Sequence, residues 1–183
     1  MNSKLVVAAA SLALAGCLLS GCASKSSTTV TGSSAVASAP SNVSFDDVTV
    51  ANAATLSDKP KVSVASSSKP SGLQVKDLVV GTGAAATPTS SVKVQYVGVR
   101  YADGKQFDAS WDHGGAIGFS LQQVVPGFTQ GIGGTSTIAP MKVGGRRLMI
   151  LPAALGYGAT GTPDGSIPPN APIVFVVDLV GLG

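Results

Sequence analysis

From residue 71 onward, short apolar runs alternate with clusters of Gly, Pro and small polar residues, the texture of strands separated by turns. "LQVKDLVV" (73–80) alternates imperfectly and stops at "GTG", while "VKVQY" (92–96) puts Val92, Val94 and Tyr96 on one face and Lys93 and Gln95 on the other. Asp103-Gly104 is a hairpin dipeptide, so its flanks are expected to pair antiparallel. "RRLMILP" (146–152) and "PIVFVVDLVGL" (172–182) are strongly apolar, the latter setting Ile173, Phe175, Val177 and Leu179 inward. Pro126 can open a short helix in "VVPGFTQGI" (124–132), although Gly127, Gly131, Gly133 and Gly134 make it a poor one. The stretch 154–172, rich in Gly and Pro, predicts a loop well beyond the usual ~4–6 residues. It nevertheless carries Tyr157 and Ile167, side chains a solvated linker has little use for. The pattern predicts an α+β, mainly β domain: an antiparallel sheet with at most one short helix.

The first 70 residues read differently. Lys4, the apolar run 5–19 and the small-residue stretch "LSGC" (19–22) form a signal peptide over 1–21. Fifteen apolar residues are short for a membrane span, which needs ~20. "LSGC" resembles the bacterial lipobox, which implies that Cys22 carries acyl chains such as palmitate and becomes the N-terminus of a membrane-anchored lipoprotein. An ordinary secretory signal or an uncleaved anchor are the other readings. Each has the protein act outside the cytoplasm, and the lipobox reading puts it on the extracytoplasmic face of a bacterial membrane, on the periplasmic or cell-wall side. A Ser/Ala/Thr-rich tether, too poor in apolar surface to order itself, is expected over 22–70. Alternating runs at Val48/Val50 and Val62/Val64 predict a weak hairpin within 45–65.

Composition narrows the chemistry. The chain has 183 residues, a net charge of +3 and only 11% charged residues, with the 12 Lys and Arg scattered, which argues against nucleic-acid binding. Arg146-Arg147, the only basic pair, is expected to be solvated charge beside a strand. There is no Glu and a single histidine, His113, which excludes most metal sites and any catalytic apparatus using two histidines. Beyond Cys22 there is no thiol, so neither a disulfide nor Cys catalysis is expected in the domain. All the aromatic residues except Phe45 fall within 96–175.

Several stretches in fixed order resemble one family: "VQYVG" (94–98), "DGKQFDAS" (103–110), "VVPGF" (124–128), "MKVGGRR" (141–147), "ALGYGATG" (154–161) and "IPPNAPIVFVVDL" (167–179). Together they are similar to the FK506-binding-protein (FKBP) type of peptidyl-prolyl cis-trans isomerase, over residues 71–183. The resemblance implies a curved antiparallel sheet of about five strands wrapped around one short helix, with an apolar pocket between them. It implies no cofactor and no metal. Tyr96, Phe107, Asp108, Val125, Tyr157 and Phe175 match the family's catalytic positions. Ile117, Phe119, Val124 and Phe128 match positions lining the pocket and its approach, and Ile167 the loop residue that closes over a ligand.

The implied activity is isomerisation of X-Pro bonds in proteins folding outside the cytoplasm. The implied partners are proline-containing polypeptides and macrolide ligands of the family, with a membrane engaged through the lipid anchor and a monomeric protein. Phe128 stands where the family commonly has Trp, so the pocket floor is expected to be shallower. "GGTSTIAP" (133–140) is longer than in compact members and is expected to extend a loop beside the pocket. His113 lies near a position that is often Arg, and either pairs with Asp108 or does nothing. Two rival readings stand: a proline-segment binding module or chaperone on the same fold that turns bonds over slowly or not at all, and an adhesive β-sandwich lipoprotein.

Overall fold

A computed structural model of the chain describes residues 41–65 and 68–183. The expected signal peptide, Cys22 and the first part of the expected tether lie outside the described residues. Among those described, no helix is long and apolar enough to cross a membrane.

The main sheet is curved and antiparallel. It contains β4 (Gln74–Val79), β5 (Ser91–Arg100), β6 (Gln106–Ala109), β7 (Ile117–Ser120), β8 (Arg146–Leu151) and β9 (Ile173–Leu182), and one helix, α1 (Pro126–Gly133), packs on it. The strand order is β4-β8-β9-β5-β6, with β7 also paired to β5. One edge of β5 is therefore shared: Val97–Val99 pair with β6 and Ser91–Val94 with β7. At the changeover the buried Ser110 closes the gap. Its hydroxyl accepts the Tyr96 N–H at 2.9 Å and donates to Gln95 Oε1 at 2.6 Å.

Helix α1 is Gly-rich because it lies hard against β8. A Cβ on Gly127 would stand 2.6 Å from the Leu151 side chain, and one on Gly131 would collide with Met149 Sδ. Close approach here outweighs the ~1 kcal/mol that each helical Gly costs. The inner core under the helix gathers Val92, Val94, Ile132, Met149, Leu151, Ile173, Phe175, Val177 and Leu179.

The other face of the sheet is also buried. Val97, Val99, Leu148, Ile150, Val174 and Val176 pack with Val48 and Val50 in a second core. The cover is an antiparallel meander of β1 (Asn42–Phe45), β2 (Val48–Ala51) and β3 (Lys61–Val64). The alternating runs anticipated over 45–65 are β2 and β3. The strand not anticipated is β1, whose apolar residues, Val43 and Phe45, are only half-buried. Asp46 turns the chain between β1 and β2 at φ 48°, a left-handed conformation that Asp tolerates.

The Arg146-Arg147 pair differs most from its expected solvated state, being 0% and 3% exposed. Adjacent strand residues face opposite sides, so the two guanidiniums serve different layers. Arg146 points to the meander and uses all its donors. It forms a bidentate pair with Asp178, with Nη2 at 2.7 Å from Oδ2, and donates to the carbonyls of Asn52, Thr55 and Asp58 at 2.6–3.1 Å. Burial pushes the Asp178 carboxyl up, and the guanidinium opposes that shift. Arg147 points to the helix side, pairs with Asp77, and donates at 2.8 Å to both Gly131 O at the end of α1 and Ala139 O in the following loop.

Removing one partner of a buried pair strands the other charge, at a cost of about 3–5 kcal/mol. Arg146→Ala is therefore expected to lower the unfolding free energy by about that amount in urea titrations. Lys93→Ala, on the exposed part of β5, is expected to change it by less than about 0.5 kcal/mol. Equal losses for the two variants would contradict the assignment.

Candidate active site

A concavity of about 340 Å³ opens on the helix side of the sheet. Its interior is a cluster of aromatic rings, each delivered by a different element. Phe175 on β9 stands at the centre, with its ring centroid 5.0 Å from Phe128 on α1, 5.6 Å from Phe107 on β6 and 6.0 Å from Tyr96 on β5, all edge to face. Phe119 on β7 tilts against Phe128 at 5.7 Å. Edge-to-face pairs contribute ~0.5–1.5 kcal/mol each beyond area burial, so the rings form a braced wall. Gly98 on β5 makes room for it, since a Cβ there would lie 2.6–2.8 Å from the Phe107 and Phe175 rings.

A polar edge borders this wall. Asp108 Oδ2 accepts the Tyr96 hydroxyl, and Oδ1 accepts the Ala109 N–H at 2.8 Å and lies 2.9 Å from His113 Nε2. Burial, with the Asp108 carboxylate adding to it, pushes the Tyr96 phenol well up, so it remains a donor at any physiological pH. Across the cavity, burial and the charges of Asp108 and Asp164 also raise Tyr157. Its hydroxyl has no hydrogen-bond partner among the described residues, and the residue is 36% exposed. Val125 caps the start of α1, and its backbone N–H likewise finds no acceptor among the described residues. Two unspent donors therefore border an apolar, aromatic slot.

Ten residues singled out in the sequence line this one cavity: Tyr96, Phe107, Asp108, Ile117, Phe119, Val124, Val125, Phe128, Tyr157 and Phe175. Ile167 does not. It is 1% exposed and belongs to the inner core, and its backbone is held by Thr162 on both sides, so it anchors the flap from below instead of closing over the mouth. Gln123 lines the cavity without having been anticipated. It ends the 3₁₀ turn Leu121–Gln123 just before Val124-Val125, and that adjacency was its only signal. None of residues 133–140 reaches the cavity, because Arg147 ties that loop to the far end of α1.

Residues 83–180 match the family described as FKBP-type peptidyl-prolyl cis-trans isomerase. The chain is 42% identical over 127 residues to the FK506-binding protein of Streptomyces anulatus, covering 68% of this chain and 98% of that protein. It is 38% identical to the probable FK506-binding protein of Corynebacterium glutamicum, covering 67% and 98%. Among solved structures it is similar to FKBP13 of Arabidopsis thaliana, at 36% identity and TM-score 0.58, covering 63% of this chain and 96% of that one. FkpA from Escherichia coli follows at 35% identity and TM-score 0.54, covering 63% and 50%. The chain belongs to the FKBP-type peptidyl-prolyl cis-trans isomerases, and the rival reading as a β-sandwich lies outside that family.

Gly98→Ala tests how tightly the wall is built. A methyl group pressed between two rings is expected to cost about 1–3 kcal/mol in urea unfolding and to narrow the cavity. Isomerase activity is therefore expected to fall further than in Gly72→Ala, where no atom lies within 4 Å of the added methyl.

Proposed function

We propose that this protein accelerates the cis–trans isomerisation of X-Pro bonds in polypeptides folding outside the cytoplasm, while anchored to the membrane by acyl chains on Cys22. The observation that carries the chemistry is the pairing of a braced aromatic slot with two unspent donors, the Tyr157 hydroxyl and the Val125 N–H. The extracytoplasmic site and the anchor rest on the leader and the "LSGC" stretch.

An X-Pro bond rotates over a barrier of ~18–20 kcal/mol without any covalent bond being broken. At the twisted transition state the amide loses its C–N double-bond character and much of its dipole. An apolar, dry surrounding therefore favours the twisted form over the planar one. In this chain Phe107, Phe128 and Phe175 take the pyrrolidine ring, with Phe119 beside them. Val124 and Ile117 border the entry. Tyr157 and the Val125 N–H hold the rotating carbonyl groups, and Asp108, fixed by Tyr96, shapes the slot's polar edge. A barrier lowered by about 4 kcal/mol gives roughly a thousandfold acceleration. Phe128 offers a smaller floor than an indole and no N–H, which favours turnover of short proline segments over tight retention of a macrolide.

Isomerisation of a short X-Pro peptide tests the reading. The wild-type protein is expected to exceed the uncatalysed rate by orders of magnitude. Tyr157→Phe is expected to lose about two- to tenfold, the worth of one hydrogen bond. Asp108→Val is expected to lose more, because it also releases Tyr96. A wild-type rate equal to buffer while the peptide still binds would replace catalysis with a binding or chaperone role.

Localisation has its own check. The full chain expressed in a bacterium is expected in the membrane fraction with the mass of an acylated N-terminal Cys22, and Cys22→Ser is expected in the soluble fraction without that mass. Membrane retention of Cys22→Ser would remove the anchor from the proposal.

A further inference from the structure

His113 is the chain's single histidine, and its ring meets the carboxylate at the cavity's edge, with Nε2 at 2.9 Å from Asp108 Oδ1. The backbone fixes that approach. His113 ends the 3₁₀ turn Ser110–His113, which begins at the buried, hydrogen-bonded Ser110 and closes with the Gly115 N–H donating to Ser110 O at 3.1 Å. The side chain itself is 65% exposed, so protons exchange freely with solvent.

The other charged or titratable groups around the ring are accounted for. On its own turn, Asp112 is engaged by Lys59 at 2.7 and 2.9 Å and by Gln106 at 2.8 Å, which leaves that pair neutral. From β5, Tyr96 donates to Asp108 and stays protonated. From the flap, Tyr157 stays protonated and Asp164 adds a negative charge that does not titrate near neutrality. The net charge of the rim beside the slot is thus decided by His113 together with Asp108. Over the fixed charge of Asp164, the His113–Asp108 pair contributes zero with the imidazole protonated and −1 with it neutral.

We propose that His113 is a titratable specificity residue: by switching the charge at the cavity rim, it makes the isomerase favour a basic over an acidic side chain beside the substrate proline, increasingly so as pH rises. The inference rests on the isomerase reading of the cavity. Asp108 lines the cavity that seats the proline, so its charge reaches a flanking residue with little screening, the Debye length being about 8 Å at physiological salt. With the imidazole neutral, an unbalanced carboxylate attracts Lys or Arg and repels Asp or Glu. With it protonated, the two charges 2.9 Å apart act as a short dipole whose field fades quickly. The Nε2–H tautomer of the neutral ring still donates to Asp108, so the position of the carboxylate is retained in both states. Only the charge changes.

The test compares matched peptides carrying Lys, Glu or Ala before proline, between about pH 5.5 and about pH 8, the range in which an imidazole changes charge and the peptide side chains do not. Both kcat/KM and peptide affinity are measured. The Lys-to-Glu ratio is expected to rise about three- to tenfold across the range, with the Ala peptide changing less than about twofold. Its midpoint is expected to coincide with the titration of the His113 ring followed by NMR. His113→Gln is expected to hold the ratio high and flat, and His113→Arg, permanently charged, to hold it low and flat. A flat ratio in the wild type, or an unchanged rise in His113→Gln, would overturn the proposal. Absence of turnover for all peptides would instead remove the isomerase reading, and the affinity ratio would still decide the role of His113.

Discussion

A strand buried on both faces has no water to turn to, so every polar group it carries must be satisfied by another part of the chain. β8 and β9 live under that constraint. On the helix side β9 brings Phe175 to the middle of the aromatic wall, and on the meander side it brings Val174, Val176 and Asp178. Beside it, β8 sends Arg147 one way and Arg146 the other. The guanidinium of Arg147 ties the end of α1 to the sheet, and that of Arg146 ties the loop between β2 and β3. The two layers are thus held by adjacent residues of one strand, and the cavity wall is attached to both.

That arrangement suits the chemistry. Isomerising a prolyl bond requires no group to be transferred, only surroundings that fit the twisted amide better than the planar one. Such surroundings must not relax around the ground state. The rings meeting Phe175 come from β5, β6 and α1, and the glycines at 98, 127 and 131 let backbone and rings approach more closely than any side chain would allow. The donors are supplied by a helix start and a flap, both hydrogen-bonded within themselves.

Much of this was legible along the chain. The inward set of Ile173, Phe175, Val177 and Leu179 follows from a period of two, and the cavity-lining residues sit in short stretches whose order is distinctive. The outer layer was harder to read. Unbroken apolar runs such as "IVFVV" and "LMIL" are what a doubly covered strand looks like. The cover itself is built of four-residue strands in which Val alternates mostly with polar residues, and their burial depends on the sheet beneath them. Arg146 and Arg147 looked solvated because pairing partners 32 and 70 positions away cannot be seen in a local window. Along the sequence Ile167 reads as a ligand-closing residue because a flap residue and a core residue are both apolar. Only packing separates them, and packing puts it underneath.

The meander also decides which face of the enzyme stays open. The described chain begins in the layer stacked on the sheet's other face, where Ser41 O accepts the Ala53 N–H at 3.1 Å. The slot opens on the other side. Whatever rests against the meander therefore leaves the mouth uncovered.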